Sequence, residues 1–168
     1  MNIPTERLQY IADLFLRCED VAENLWTAFT FVFEFNDGHI ANSGFLYNGD
    51  KVEPATARIA EDMLMLSNTL REFREEVYEQ CDWRFIKLLF QMDGETGRFK
   101  IDFEFEDKSR WEIHPGNMME CVNSCALISI NRYFGVGCRF YASNAYRRTQ
   151  YEYTNRTTPI HCRSLPTL

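Results

Sequence analysis

Arg98-Phe99-Lys100-Ile101-Asp102-Phe103-Glu104-Phe105-Glu106 is the stretch that decides the fold. Phe99, Ile101, Phe103 and Phe105 alternate with Arg98, Lys100, Asp102, Glu104 and Glu106, which is the two-residue period of a strand with one apolar and one charged face. The charged face reads as solvated. Residues 84–92 read as the preceding strand, and Asp93-Gly94-Glu95-Thr96-Gly97 as the hairpin loop between the two. A second hairpin lies nearer the N-terminus. Within residues 26–35, Phe29, Phe31, Phe33 and Phe35 form one apolar face, and Asn36-Asp37-Gly38 supplies a turn that tolerates positive φ. Residues 39–48 return as a weaker strand, interrupted by Asn42, Ser43 and Gly44, and Asn48-Gly49-Asp50 makes another turn.

Helical spacing precedes each hairpin. Leu8, Ile11, Phe15, Cys18, Ala22 and Leu25 recur at three- and four-residue steps, which predicts a helix over 4–24 with Pro4 in its first turn. Ile59, Met63, Leu66, Leu70, Phe73 and Val77 predict a second over 54–80, with an outer side rich in Glu. The expected order is α-β-β-α-β-β. Burying both helical stripes on the aromatic face gives an α+β fold, an antiparallel sheet with its helices packed on one face.

The 168 residues suit one domain with a sizeable core, and 45% hydrophobic with 15% aromatic residues excludes a disordered chain. No 18-residue apolar run is present, so no membrane span is expected. Residues 1–7, Met-Asn-Ile-Pro-Thr-Glu-Arg, lack the layout of a secretory signal, which makes the cytoplasm the expected compartment. The net charge of −7 is unevenly spread. Residues 1–118 carry 12 basic and 23 acidic side chains, −11, whereas residues 119–168 carry six Arg and two Glu, +4. This break predicts a domain over 1–118 and a C-terminal extension over 119–168. Within the extension, 126–130 and 133–141 have weak strand character, and no period of either kind continues beyond Ser143.

Catalytic motifs are scarce. His39, His114 and His161 lie far apart, and there is no phosphate loop, dinucleotide turn or nucleophile elbow. Glu34 and the row Asp102, Glu104, Glu106 could supply a general acid and base, but carboxylates two apart on a strand read as solvated surface. Cys121, Cys125, Cys138 and His161-Cys162 could in principle ligate zinc, yet the second half lacks a matched pair and separate thiols are expected. Cys18 reads as core, and Cys81 has no evident partner. No catalytic residue, metal site or cofactor is therefore expected. What stands out is acid: Asp102, Glu104, Glu106 and Asp107 along one strand, and Glu72, Glu75, Glu76 and Glu79 at the end of the long helix. Such fields steer a basic partner and disfavour nucleic acid itself.

The segment Gly97-Arg98-Phe99-Lys100-Ile101-Asp102-Phe103-Glu104-Phe105-Glu106-Asp107 resembles the G-K-F-K-I-D-F-x-Y-E-D-like strand of the YezG-like family of antitoxin and immunity proteins. The leading helix, Trp26 before the aromatic strand, Gly44-Phe45-Leu46-Tyr47, the long helix and Trp83 are in keeping, over residues 5–115. The resemblance implies a non-enzymatic immunity protein that binds and neutralises a cognate polymorphic-toxin domain, often a nuclease, inside the cell. Its acidic surface would then cover a basic one. On this reading, reversing Asp102, Glu104 and Glu106 to Lys weakens binding without harming folding, whereas Phe103→Asp unfolds the domain. The alternative is a small ligand-binding or enzymatic domain with a pocket between helices and sheet. Residues 119–168 depart from the family pattern. They read either as a true extension or as a tail translated from a shifted or fused frame, the latter suggested by absent Lys, excess Arg and Cys, and lost periodicity.

Overall fold

Four phenylalanines on one side of a single strand, β1 (Ala28–Asn36), set the centre of the fold. A computed structural model of the protein describes residues 3–112 and the strand at 138–141. Around β1 it places α1 (Thr5–Leu16), α2 (Glu19–Glu23), β2 (His39–Asn48), β3 (Lys51–Ala55), α3 (Met65–Cys81), β4 (Lys87–Asp93), β5 (Phe99–Glu104) and β6 (Cys138–Tyr141). The strands form one sheet in the order β3-β2-β1-β4-β5-β6. The first five are antiparallel to their neighbours, and β6 joins β5 in parallel, Ile101 opposite Cys138. The class is α+β, as the alternation predicts. Within residues 3–112 the order of elements departs from α-β-β-α-β-β at two points, and β6 adds a strand within the span 133–141 that has weak strand character in sequence.

The first departure is the leading helix, which breaks between Leu16 and Glu19. Cys18 adopts an extended conformation, and the Glu19 N–H leaves the helical ladder to donate to the Arg58 carbonyl at 2.8 Å. The break rotates the stripe, so that Val21 is buried while Ala22 and Leu25 face solvent. The second is β3. Residues 51–55 pair with β2, and Pro54 sits opposite Phe45 on the edge strand, where its missing N–H disrupts no inner ladder. The chain then crosses to the helix layer. The Thr56 N–H donates to Asp20 Oδ2 (2.7 Å) and the Ala57 N–H to Asn42 Oδ1 (2.8 Å). Helix α3 therefore starts at Met65, not near Pro54, and Ile59 is buried from a loop whereas Met63 is exposed. Asp82 closes α3 in the left-handed conformation, φ 59°, its N–H donating to the Tyr78 carbonyl.

Register gathers the rings into rows: Phe29, Met92 and Phe99; Phe31, Phe90 and Ile101; Phe33, Leu88 and Phe103. Helix α1 lays Phe15 on this face, stacked on Phe90 with centroids 3.9 Å apart, and α3 brings Phe73 to Phe103 at 5.9 Å. Between the helices and the sheet these rings pack on one another. Gly44 lies opposite Phe31, and a Cβ there would collide with the Phe31 ring and the Thr30 carbonyl, so the residue that weakens β2 in sequence is the one the ring needs.

Two substitutions test this packing by chemical denaturation. Phe15→Ala, which empties the middle of the ring stack, is expected to cost about 3–5 kcal/mol. Gly44→Ala is expected to cost roughly 1–3 kcal/mol through overpacking, although it adds a single methyl group.

Candidate functional site

The sheet's second face is built from the residues that alternate with the rings. In register across β1, β4 and β5 it presents Glu34, Lys87 and Glu104; then Val32, Leu89 and Asp102; then Thr30, Gln91 and Lys100. Sequence spacing predicts a solvated charged face here, and the structure corrects that expectation. Asp102 and Glu104 are each 3% exposed, and Lys87 is 1% exposed. Ionic groups removed from water need counter-charges, and both lysines of this layer have one. Lys87 Nζ lies 3.5 Å from Glu34, and Lys100 Nζ pairs with Asp102.

Glu104 is the most committed of the group. Its Oε1 accepts the N–H groups of Phe105 (2.9 Å), Glu106 (3.0 Å) and Asp107 (3.0 Å), and its Oε2 accepts Arg110 Nη1 at 3.0 Å. One carboxylate therefore ends β5 and folds the following loop back on itself. The Arg110 guanidinium also lies 4.6 Å from the Trp111 ring centroid, and Trp111, held at φ 56°, packs on Val32 and Leu89. Asp107 continues the loop by accepting the Ser109 hydroxyl (2.6 Å) and N–H (2.9 Å), which hold its carboxyl below the usual range. It stays ionised to lower pH than in the unfolded chain. Its contribution is complete above the unfolded value and fades as pH falls through the lowered folded one.

The helix carboxylates also have internal partners. Arg7 reaches from α1 to Glu76 (2.7 Å) and Glu72 (3.4 Å). Arg84 clasps Glu75 with Nε and Nη2, at 2.7 Å for the shorter contact, and draws that carboxyl down from its ordinary pKa. Of the eight acidic residues singled out by sequence, Glu72, Glu79, Glu106 and Asp107 are exposed, Glu75 and Glu76 half-buried, and Asp102 and Glu104 buried. They do not form one continuous patch. The Lys reversal of Asp102 and Glu104 would put cations beside Lys87, Lys100 and Arg110 in a buried layer, so intact folding is no longer expected of it.

Sequence reasoning passed over the partners Arg7, Arg84, Lys87, Lys100 and Arg110. Lys87 offered a signal: it interrupts the apolar run Phe85-Ile86-Lys87-Leu88-Leu89-Phe90, where a lysine must find an anion once buried. Among the other candidates, His39 is exposed beside the β1–β2 turn, whereas His114, His161 and the side chains of Cys121, Cys125, Cys138 and Cys162 lie outside the described residues, as does the boundary near 118. Among the described residues, no group of three or more His, Cys, Asp or Glu could hold a metal ion, and no helix is long and apolar enough to cross a membrane. Cys18 is buried, and its thiol is pushed up to about 12 by desolvation and by nearby Asp20. It is a neutral core group at physiological pH.

Urea denaturation should show Glu104→Ala destabilised by about 3 kcal/mol, with Glu104→Gln intermediate because an amide oxygen still accepts the three N–H groups. Glu79→Gln, on the solvated side of α3, should stay within about 0.5 kcal/mol of the parent. In peptide-mapped alkylation of the native chain at about pH 8, Cys18 should remain unmodified until denaturant is added. A scan of the chain against protein-family models finds no match, and a search of curated proteins finds none either.

Proposed function

We propose that the chain is a cytoplasmic binding protein that neutralises a cognate toxin, a basic domain acting on nucleic acid. The observation that supports this best is the acid excess of the described domain. Residues 3–112 hold 23 acidic and 12 basic side chains, and Arg7, Arg58, Arg84, Lys87, Lys100 and Arg110 are already paired internally. Glu79, Glu106 and Asp107 are exposed. A domain that grips phosphate backbones is basic, and an acidic protein can occupy that surface by presenting comparable charge. The resemblance of residues 97–107 to the YezG-like strand supports the same reading. Association alone inhibits, so the reading requires no catalytic group, cofactor, nucleic acid or membrane.

The test is co-expression with the toxin domain encoded by the neighbouring gene, followed by pull-down and binding kinetics at low and high salt. A complex whose association slows with salt is expected. The double variant Glu79→Lys, Glu106→Lys should lower the association rate roughly fivefold at low salt while leaving the melting temperature near that of the parent. No complex with that domain, or association indifferent to both salt and the reversals, would refute the reading.

A further inference from the structure

The internal pairing of the acidic residues leaves a different surface uncommitted. Among the described residues, six large apolar side chains are markedly exposed, and three of them belong to the same end of the helix pair: Leu16 (40%), Met63 (64%) and Leu64 (64%). Helices α1 and α3 run antiparallel, since Arg7 meets Glu72 and Glu76 while Arg17 Nη1 lies 3.7 Å from Met65 Sδ. The last residue of α1 therefore lies beside the residues that lead into α3. This corner is held in place. The Glu19 N–H donates to the Arg58 carbonyl, the Arg58 guanidinium pairs with Glu19 at 2.8 Å, and the Leu64 N–H donates to Asp62 Oδ1 at 3.0 Å. An exposed apolar group on an ordered backbone gains more from a partner than one that must first be ordered.

Asp13, one helical turn before Leu16, and Glu61 and Asp62, immediately before Met63, are all exposed and without an ion-pair partner among the described residues, with Arg17 the basic residue next to Leu16. An apolar centre with a charged rim is the usual layout of a protein–protein contact. The sign of the rim selects the occupant. A second copy of this chain would bring the same acidic rim against it, whereas a basic protein surface is complementary.

We propose that Leu16, Met63 and Leu64, rimmed by Asp13, Glu61 and Asp62, are the gripping centre for a basic protein partner. The proposal rests on the binding reading above and places its anchor at the α1–α3 corner. Acidic residues elsewhere accelerate encounter, and this patch sets how long the complex lasts.

The full chain and its variants should be compared by surface plasmon resonance, with the toxin domain encoded by the neighbouring gene as the probe. Met63→Ser with Leu64→Ser removes apolar surface without altering charge. It should raise the dissociation rate about tenfold or more while the association rate changes by less than about threefold. Glu61→Lys should instead slow association. A dissociation rate unchanged by the double substitution, with the melting temperature also unchanged, would overturn the patch while leaving the binding reading intact. Sedimentation of the parent as a dimer that the double variant makes monomeric would overturn the occupant in favour of a second copy. No binding by the unaltered chain would overturn the reading and the patch together.

Discussion

A buried lysine flanked by two carboxylates organises this protein. Lys87 opens the inner strand β4, in register with Glu34 on one side and Glu104 on the other. A buried ammonium with 1% exposure requires a counter-charge, which Glu34 supplies at 3.5 Å, and a buried Glu104 carboxylate requires donors, which three N–H groups and Arg110 supply. From that requirement follow the end of β5, the path of residues 105–110 and the seat of Trp111 on Val32 and Leu89. The opposite face makes no such demand. Its rings interlock with α1 and α3 by shape and area alone.

The contrast between the two faces explains how much of the fold was legible. Alternating Phe residues and the Asp37-Gly38 and Gly97 turns are local signals, and the hairpins they specify are present, with Gly38 and Gly97 both at positive φ. The break at Cys18 and the strand Lys51–Ala55 depend on partners remote in sequence: the Arg58 carbonyl for one, and β2 for the other. No period reveals them. The helix expected from residue 54 is replaced there by an edge strand for a clear reason, since proline suits both a first helical turn and an edge strand.

The candidate site was less legible than the fold. Alternation shows that Asp102 and Glu104 lie on one face, but it does not show whether that face meets water. A charged face and a buried ionic layer have the same period. Only the placement of Lys87, Lys100 and Arg110 separates them, and that placement depends on strand register and on a returning loop. The charge excess of residues 3–112 survives the correction, but its geography changes. The carboxylates that hold the sheet together are distinct from Asp13, Glu61 and Asp62, which are exposed near Leu16, Met63 and Leu64 in the chain.

That division between structural and surface acid is most directly tested by native-state amide hydrogen exchange at Phe105, Glu106 and Asp107. These three N–H groups lie beyond the last residue of β5, and their common acceptor is the Glu104 carboxylate. Protection of all three, lost together in Glu104→Ala, is the expected result. Exchange at the rate of an unprotected loop in the parent chain would contradict it, and would return Glu104 to the solvated face that its spacing alone suggests.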